Sequence, residues 1–236
     1  MSTQWNNEVV NSGGGLWVAS GKAGDGWAHI HKFGYSDNIS SLSTIWDGSN
    51  IYTYSSSAGA VTATSSSSDD DGAIVEIQGL DADYNLTTYD LTLGSTGATN
   101  LIRIFRVRLK TPATGETTNI GVISINIGGA LRAKILAGNG QTLMSVYTVP
   151  AGKTAYLLNL TMSVDKNVDV IYKLMAREIE DGGFNIKGQF GTFGTPIDHN
   201  YPIPLKFTEK TDIEVRADAG NTSGGGAAFD LILIDN

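Results

Sequence analysis

Cysteine is absent from this chain. No disulfide and no thiolate metal site can staple it, so its own core must hold it, and the absence leans toward folding in a reducing cytosol. No apolar run approaches the length of a membrane-spanning helix. Met1–Glu8 has neither a basic start nor an apolar stretch, so no signal peptide is expected. Basic residues are scarce: 16 Lys and Arg face 24 Asp and Glu, for a net charge of −8. Binding nucleic acid needs clustered cations to displace counterions, and an anionic membrane needs them too, so neither partner is expected. The acidity reads as solubility and mutual repulsion before assembly.

Catalytic signatures are also missing. No Ser sits in a G-x-S-x-G elbow, there is no Cys nucleophile, and nothing marks one carboxylate pair among the acidic residues. The chain is expected not to be an enzyme and to need no cofactor. Gly128-Gly129 and Gly182-Gly183 lie between strands, not between a strand and a helix, so they do not form a phosphate loop. Asp81-Ala-Asp83-Tyr-Asn85 starts like a calcium loop, but Leu86 and Thr92 stand where Gly and Glu are required, so it reads as an Asx-rich turn. His29 and His31 share a strand face and His199 is remote, which reads as a structural or surface role with no metal site.

What is present is alternation. The 236 residues hold short apolar-polar runs separated by Gly, Asn, Asp and Pro, with 29 Gly in all. A period of two means one buried and one wet face, hence antiparallel sheets. In Ala155–Val164 the pattern places Tyr156, Leu158, Leu160, Met162 and Val164 on the buried face. Strands are expected at His29–Phe33, Ser43–Trp46, Ile51–Tyr54, Val61–Thr64, Ala73–Gln78 and Leu86–Leu93. Ten more follow between Leu101 and Ile234. Val168–Glu180 has helical spacing, but its β-branched start favours a strand. Ser65–Asp71 is expected to be a polar turn or mobile loop, its charge run a solvated tip.

The predicted fold is all-β: an antiparallel β-sandwich of jelly-roll type with an irregular N-terminal arm. Residues 1–26 form the arm, 27–98 an N-terminal β region, and 99–236 the sandwich. Trp5, Trp17 and Trp27 are candidate anchors of that arm, on its own domain or on a neighbour. Along Leu101–Lys110, Arg106, Arg108 and Lys110 alternate with Phe105, Val107 and Leu109. That basic stripe either meets an acidic surface of another subunit or pairs with carboxylates of its own sheet.

Several segments, taken in order, carry a resemblance. They are Phe33-Gly-Tyr-Ser-Asp37, Thr44-Ile-Trp-Asp-Gly48 with Tyr52-Thr-Tyr54, and Val75 to Asn85 with Leu91-Thr-Leu-Gly94. Gly121-Val-Ile-Ser-Ile125 and Tyr147 to Tyr156 complete the set. Together, over about residues 33–164, they resemble virion structural proteins of tailed bacteriophages, the aquatic or marine phage type. Tyr89-Asp90 departs from that pattern, where a Glu often precedes the strand, and the loop at 65–72 is short. The resemblance implies a particle component made and folded in the bacterial host cytoplasm and located at the capsid surface. In this reading it is a cement protein that decorates the shell, bridges neighbouring copies of the major capsid protein, and self-associates as a homotrimer. The alternative is a tail, neck or fibre component that binds host glycans, with Trp46, Tyr52 and Tyr54 as a sugar platform.

Overall fold

Alternating runs can hide one set of side chains only when they pair as strands. The computed structural model describes residues 18, 20–24, 26–97, 99–165 and 168–236. The chain opens with β1 (Ala28–Ile39) and β2 (Ser43–Thr44). It continues through β3 (Val61–Ser65), β4 (Ile74–Leu80), β5 (Leu86–Thr92), β6 (Arg103–Thr111), β7 (Ile123–Ile127) and β8 (Ala130–Ile135). It ends with β9 (Val146–Thr148), β10 (Lys153–Val164), β11 (Asp169–Arg177), β12 (Asn185–Phe193), β13 (Ile197–Phe207), β14 (Asp212–Ala219) and β15 (Ser223–Asp235). The protein is all-β, and every ladder between these strands is antiparallel.

Two sheets form a sandwich. One has the order β1-β15-β10-β13 and the other β12-β11-β14-β2, with β9 sharing the free edge of β14 beside β2. Counted one to eight along the chain without β9, the orders are 1-8-3-6 and 5-4-7-2. Phe229, Leu231 and Leu233 of β15 meet Tyr172 and Leu174 of β11 and Val215 of β14 in one core. Each such side chain contributes roughly 1.5–3 kcal/mol by leaving water. The 168–180 segment is the strand β11, as its β-branched start requires.

Between β2 and β9 the chain builds a second β unit from two three-stranded sheets, β3-β7-β8 and β5-β4-β6. Its core holds Val61, Val75, Ile77, Val107, Ile123 and Ile135. The hairpin β7–β8 turns through Gly128 and Gly129 at φ 58 and 83, the left-handed backbone that a two-residue turn needs. The expected division at residue 98 does not coincide with these sheets. β1 pairs with β15, and β4 pairs with β6 across that boundary, because neighbours in a sheet are chosen by ladder register and not by chain order.

β6 and β9 tie the two cores together. Ile104 and Val107 of β6 enter the second core while Phe105 enters the first; Val146 and Tyr147 of β9 divide in the same way. At this joint Arg103 is 6% exposed. Its Nε and Nη2 donate to Asp212 of β14 at 2.8 and 3.1 Å, and Nη1 donates to the Ser55 and Ile102 carbonyls. Asp212 also accepts from Thr148 Oγ1 and Arg177 Nη2, both at 2.6 Å. Nearby, Glu214 is fully buried and accepts from Arg216, from Thr44 Oγ1 and from Tyr54 Oη. Burial pushes its carboxyl up, against the pull of Arg216.

Three expectations change. In β10 the buried residues are Ala155, Leu157, Leu160 and Met162, and Tyr156 is half-buried on the other face. A β-bulge between Leu157 and Asn159 inserts one residue and inverts the phase. Ile51–Tyr54 is not a strand: Tyr52 N donates to Thr44 Oγ1, a side chain, instead of to a ladder partner. Of the two readings of Ser65–Asp71 the structure has the polar turn, and it is anchored rather than mobile. Asp70, 1% exposed, ends a 3₁₀ turn (Ser68–Asp70) and accepts from the Ile120 and Gly121 N–H groups at 2.7 and 2.8 Å and from Ser65 Oγ.

Asp212→Ala leaves Arg103 buried without its carboxylate, so urea denaturation should show a loss of about 3–5 kcal/mol. Asp47 supplies a pH test. It is 4% exposed; Oδ2 accepts from Leu143 N at 2.7 Å, and Oδ1 is buried without a partner. Burial pushes its carboxyl up to about 7, against lowering by the Leu143 N–H and Lys134. A carboxyl raised on folding stabilises the protein below its unfolded pKa, and that stability is lost as pH rises toward 7. Asp47→Asn should therefore flatten the decline between about pH 4 and 7, a difference of about 2–4 kcal/mol measured by denaturation at each pH.

Candidate functional site

The predicted interaction residues fall into separate places. Trp5 and Trp17 lie outside the described residues, and Trp27 is half-buried just before β1. Arg106, Arg108 and Lys110 share the outward face of β6, as the alternation requires. Two of the three are matched within their own sheet. Arg108 forms a two-pronged pair with Glu76 of β4 at 2.8 and 2.7 Å, and Lys110 meets Asp90 of β5 at 2.6 Å. The Arg108 hydrogen bond holds the Glu76 carboxyl down at about 2 despite its burial. Arg106 bonds only an amide, Gln141 Oε1 at 3.2 Å, and forms no ion pair with any described residue.

Arg106 also lines a cleft of about 250 Å³ between the edge strand β1 and β6, with Ile30, Lys32, Gln78, Phe105 and Tyr147. Lys32 is 6% exposed, donates through Nζ to the Phe105 carbonyl, and forms no ion pair with a carboxylate among the described residues. Burial pulls its amine down to about 7, and Arg106 adds to the lowering. The Tyr147 hydroxyl is buried without a partner. At the rim, His29 Nε2 and His31 Nδ1 both lie 2.8 Å from Asp230 Oδ1 of β15, while His199 sits apart on β13 against Phe190 and Tyr201. Lys32 was missed at the sequence level, although a signal was present: the run His29, His31, Phe33 places Lys32 with Ile30 on the inward face.

The second feature is an open side of the sandwich. Among the described residues β12 pairs only with β11, and β13 only with β10. Consecutive in the chain, these two strands end different sheets. Ile186 and Phe193 of β12 are 54% and 59% exposed, Ile203 of β13 is 84% exposed, and Ile171 of β11 is 42% exposed. Pro202 and Pro204 flank Ile203 and remove backbone donors, which blunts the β13 edge against further pairing. β12 has no Pro, so its edge, unpaired among the described residues, keeps every backbone donor. Neither feature was legible from periodicity, because which strand ends a sheet is decided by pairing.

The proposed sugar platform is not exposed. Trp46 and Tyr52 are 5% and 3% exposed, packed edge-to-face at 5.0 Å in the second core, because their ring area is what that small unit has to bury. Asp81 Oδ1 accepts from the Asp83 and Asn85 N–H groups, each at 2.9 Å, so the Asp81–Asn85 run is an Asx turn.

No protein-family model matches this chain, and no curated protein matches it in sequence. Among solved structures, it is similar over 89% of its length to a chain of infectious bursal disease virus, Gt strain, at 11% identity, 73% coverage of that chain and a TM-score of 0.23. The VP2 subviral particle of the same virus aligns with the same identity and coverage at a TM-score of 0.21. Scores this low do not amount to a shared topology.

Replacing Ile186 and Phe193 together by Lys removes exposed apolar area without touching either core. Unfolding free energy should change by no more than about 0.5 kcal/mol for each substitution. Any concentration-dependent self-association seen by sedimentation velocity for the unaltered chain should be lost.

Proposed function

We propose that this chain is a virion structural protein that decorates and stabilises a capsid by bridging neighbouring capsid subunits as a homotrimer. The observation that carries the reading is the β12 edge, unpaired among the described residues, with Ile186 and Phe193 of β12 and Ile203 of β13 exposed. Soluble monomers cover or charge such an edge, and an unprotected apolar edge marks an interface. The strand order 1-8-3-6 over 5-4-7-2 supports a jelly roll, a fold used by viral shells and by lectins, with the second β unit inserted after its second strand. The resemblance of residues 33–164 to phage virion proteins supports a particle component, and burial of Trp46 and Tyr52 weakens the lectin reading. Each contact of a trimer need be only modest, because linked contacts act at high effective concentration.

The test is stoichiometry. Quantitative mass spectrometry of purified particles containing this chain should find copies on the scale of the major capsid protein. A count of a few tens or fewer would point to a neck, tail or fibre component. Loading onto particles should also fail when residues 1–26 are deleted, with thermal unfolding of both β units unchanged.

A further inference from the structure

We propose that the cleft between β1 and β6 binds a small organic carboxylate, held by Lys32 and Arg106 and by a hydrogen bond from the Tyr147 hydroxyl. Three observations converge on one volume. Lys32 is an almost wholly buried cation whose contacts among the described residues are the Phe105 carbonyl and the Phe105 ring face, 5.7 Å from its Nζ, with no carboxylate. Arg106, next to it in the lining, has no carboxylate among the described residues and spends one bond on Gln141. Tyr147 carries a buried hydroxyl that bonds nothing. Buried polar groups are normally paired, and a buried amine beside a guanidinium is unfavourable until an anion arrives. In a chain of net charge −8, this concentration of uncompensated positive charge in a concave site is a specific departure.

The chemistry selects a carboxylate. A planar guanidinium donates to a carboxylate in parallel, and the second oxygen takes the ammonium and phenol protons. Ile30 and the Phe105 ring supply apolar walls for the rest of a small molecule, and about 250 Å³ limits its size. Bulk phosphate would bring a second charge and more acceptors than these donors serve.

Protonation is part of the binding. The amine of Lys32 sits near 7 in the free protein. A bound anion holds the proton on, so affinity should fall as pH rises above neutrality, by up to about tenfold per unit. The titratable and charged groups lining the cleft besides Lys32 are His29 and His31 of β1, Arg106 of β6 and Tyr147 of β9; Asp230 of β15 is not in the lining and meets the two imidazoles. A His29→Gln/His31→Gln background removes the imidazoles from the readout.

The experiment is calorimetric titration of the full chain with acetate, with benzoate and with inorganic phosphate, at constant ionic strength on both sides of neutrality. Saturable carboxylate binding is expected, with proton uptake that grows above neutrality in the double-Gln background. Lys32→Met should weaken it more than about tenfold and Arg106→Gln and Tyr147→Phe several-fold. Lys32→Met should also raise the thermal midpoint, since it removes a buried unpaired charge; a lysine kept for its bond to the Phe105 carbonyl would lower it. Tyr147→Phe and the surface change Arg106→Gln keep the test informative if Lys32→Met folds poorly. No saturable heat with either carboxylate, affinities unchanged in all three variants, or tighter binding of phosphate than of both carboxylates would overturn the assignment.

Discussion

The bond between Arg103 and Asp212 is the constraint on which the arrangement of the two β units depends. Arg103 belongs to β6 of the inserted unit and Asp212 to β14 of the sandwich, and both are nearly excluded from water. The five guanidinium hydrogens find acceptors: two on Asp212, two on backbone carbonyls and one, more distant, on Tyr84 Oη. A charge buried this deeply is tolerable only when fully paired, so the bond is satisfied in one relative placement of the sheets. Aromatic rings complete the joint, with Tyr54 and Tyr84 over Arg103 and Phe184 over Arg177 and Arg216.

From that joint the two surfaces follow. β6 leaves the interface with Phe105 turned into the first core and Arg106 turned out, which places the cation at the mouth of the cleft beside β1. Close approach of β1 to the loops behind it depends on Gly34, where a Cβ would lie 2.4 Å from both the Ile45 carbonyl oxygen and Ser145 N. On one side of the sandwich, β12 and β13 each end a sheet, and no described residue forms a third layer over their exposed apolar side chains. The proposed shell contact and the proposed ligand cleft are thus built on different strands and need not interfere.

Charge shows how context decides. Arg106, Arg108 and Lys110 look equivalent along β6, yet Arg108 and Lys110 are neutralised by Glu76 of β4 and Asp90 of β5 in the same sheet, and Arg106 is left in the cleft lining with Lys32. Asp70 and Asp47 make the same point for acids. Three hydrogen bonds hold Asp70 ionised, its carboxyl lowered against burial, while Asp47, with one oxygen unpaired, is raised.

Alternation in the amino-acid sequence determined the all-β class, most strand positions, and the outward run of cations on β6, because a period of two is a local property of the backbone. It did not determine which face of β10 is buried, since the bulge at Leu157 and Asn159 is set by the partners β13 and β15. Nor did it determine that Asp70 would be anchored to Ile120 and Gly121, about fifty positions away, or that Trp46 and Tyr52 would be core residues. The partition into sandwich and insert, the open edge of β12 and the meeting of Lys32, Arg106 and Tyr147 were decided by tertiary structure alone. Each depends on strands brought together from distant parts of the chain, and strand pairing responds to shape and hydrogen-bond register that no single segment contains.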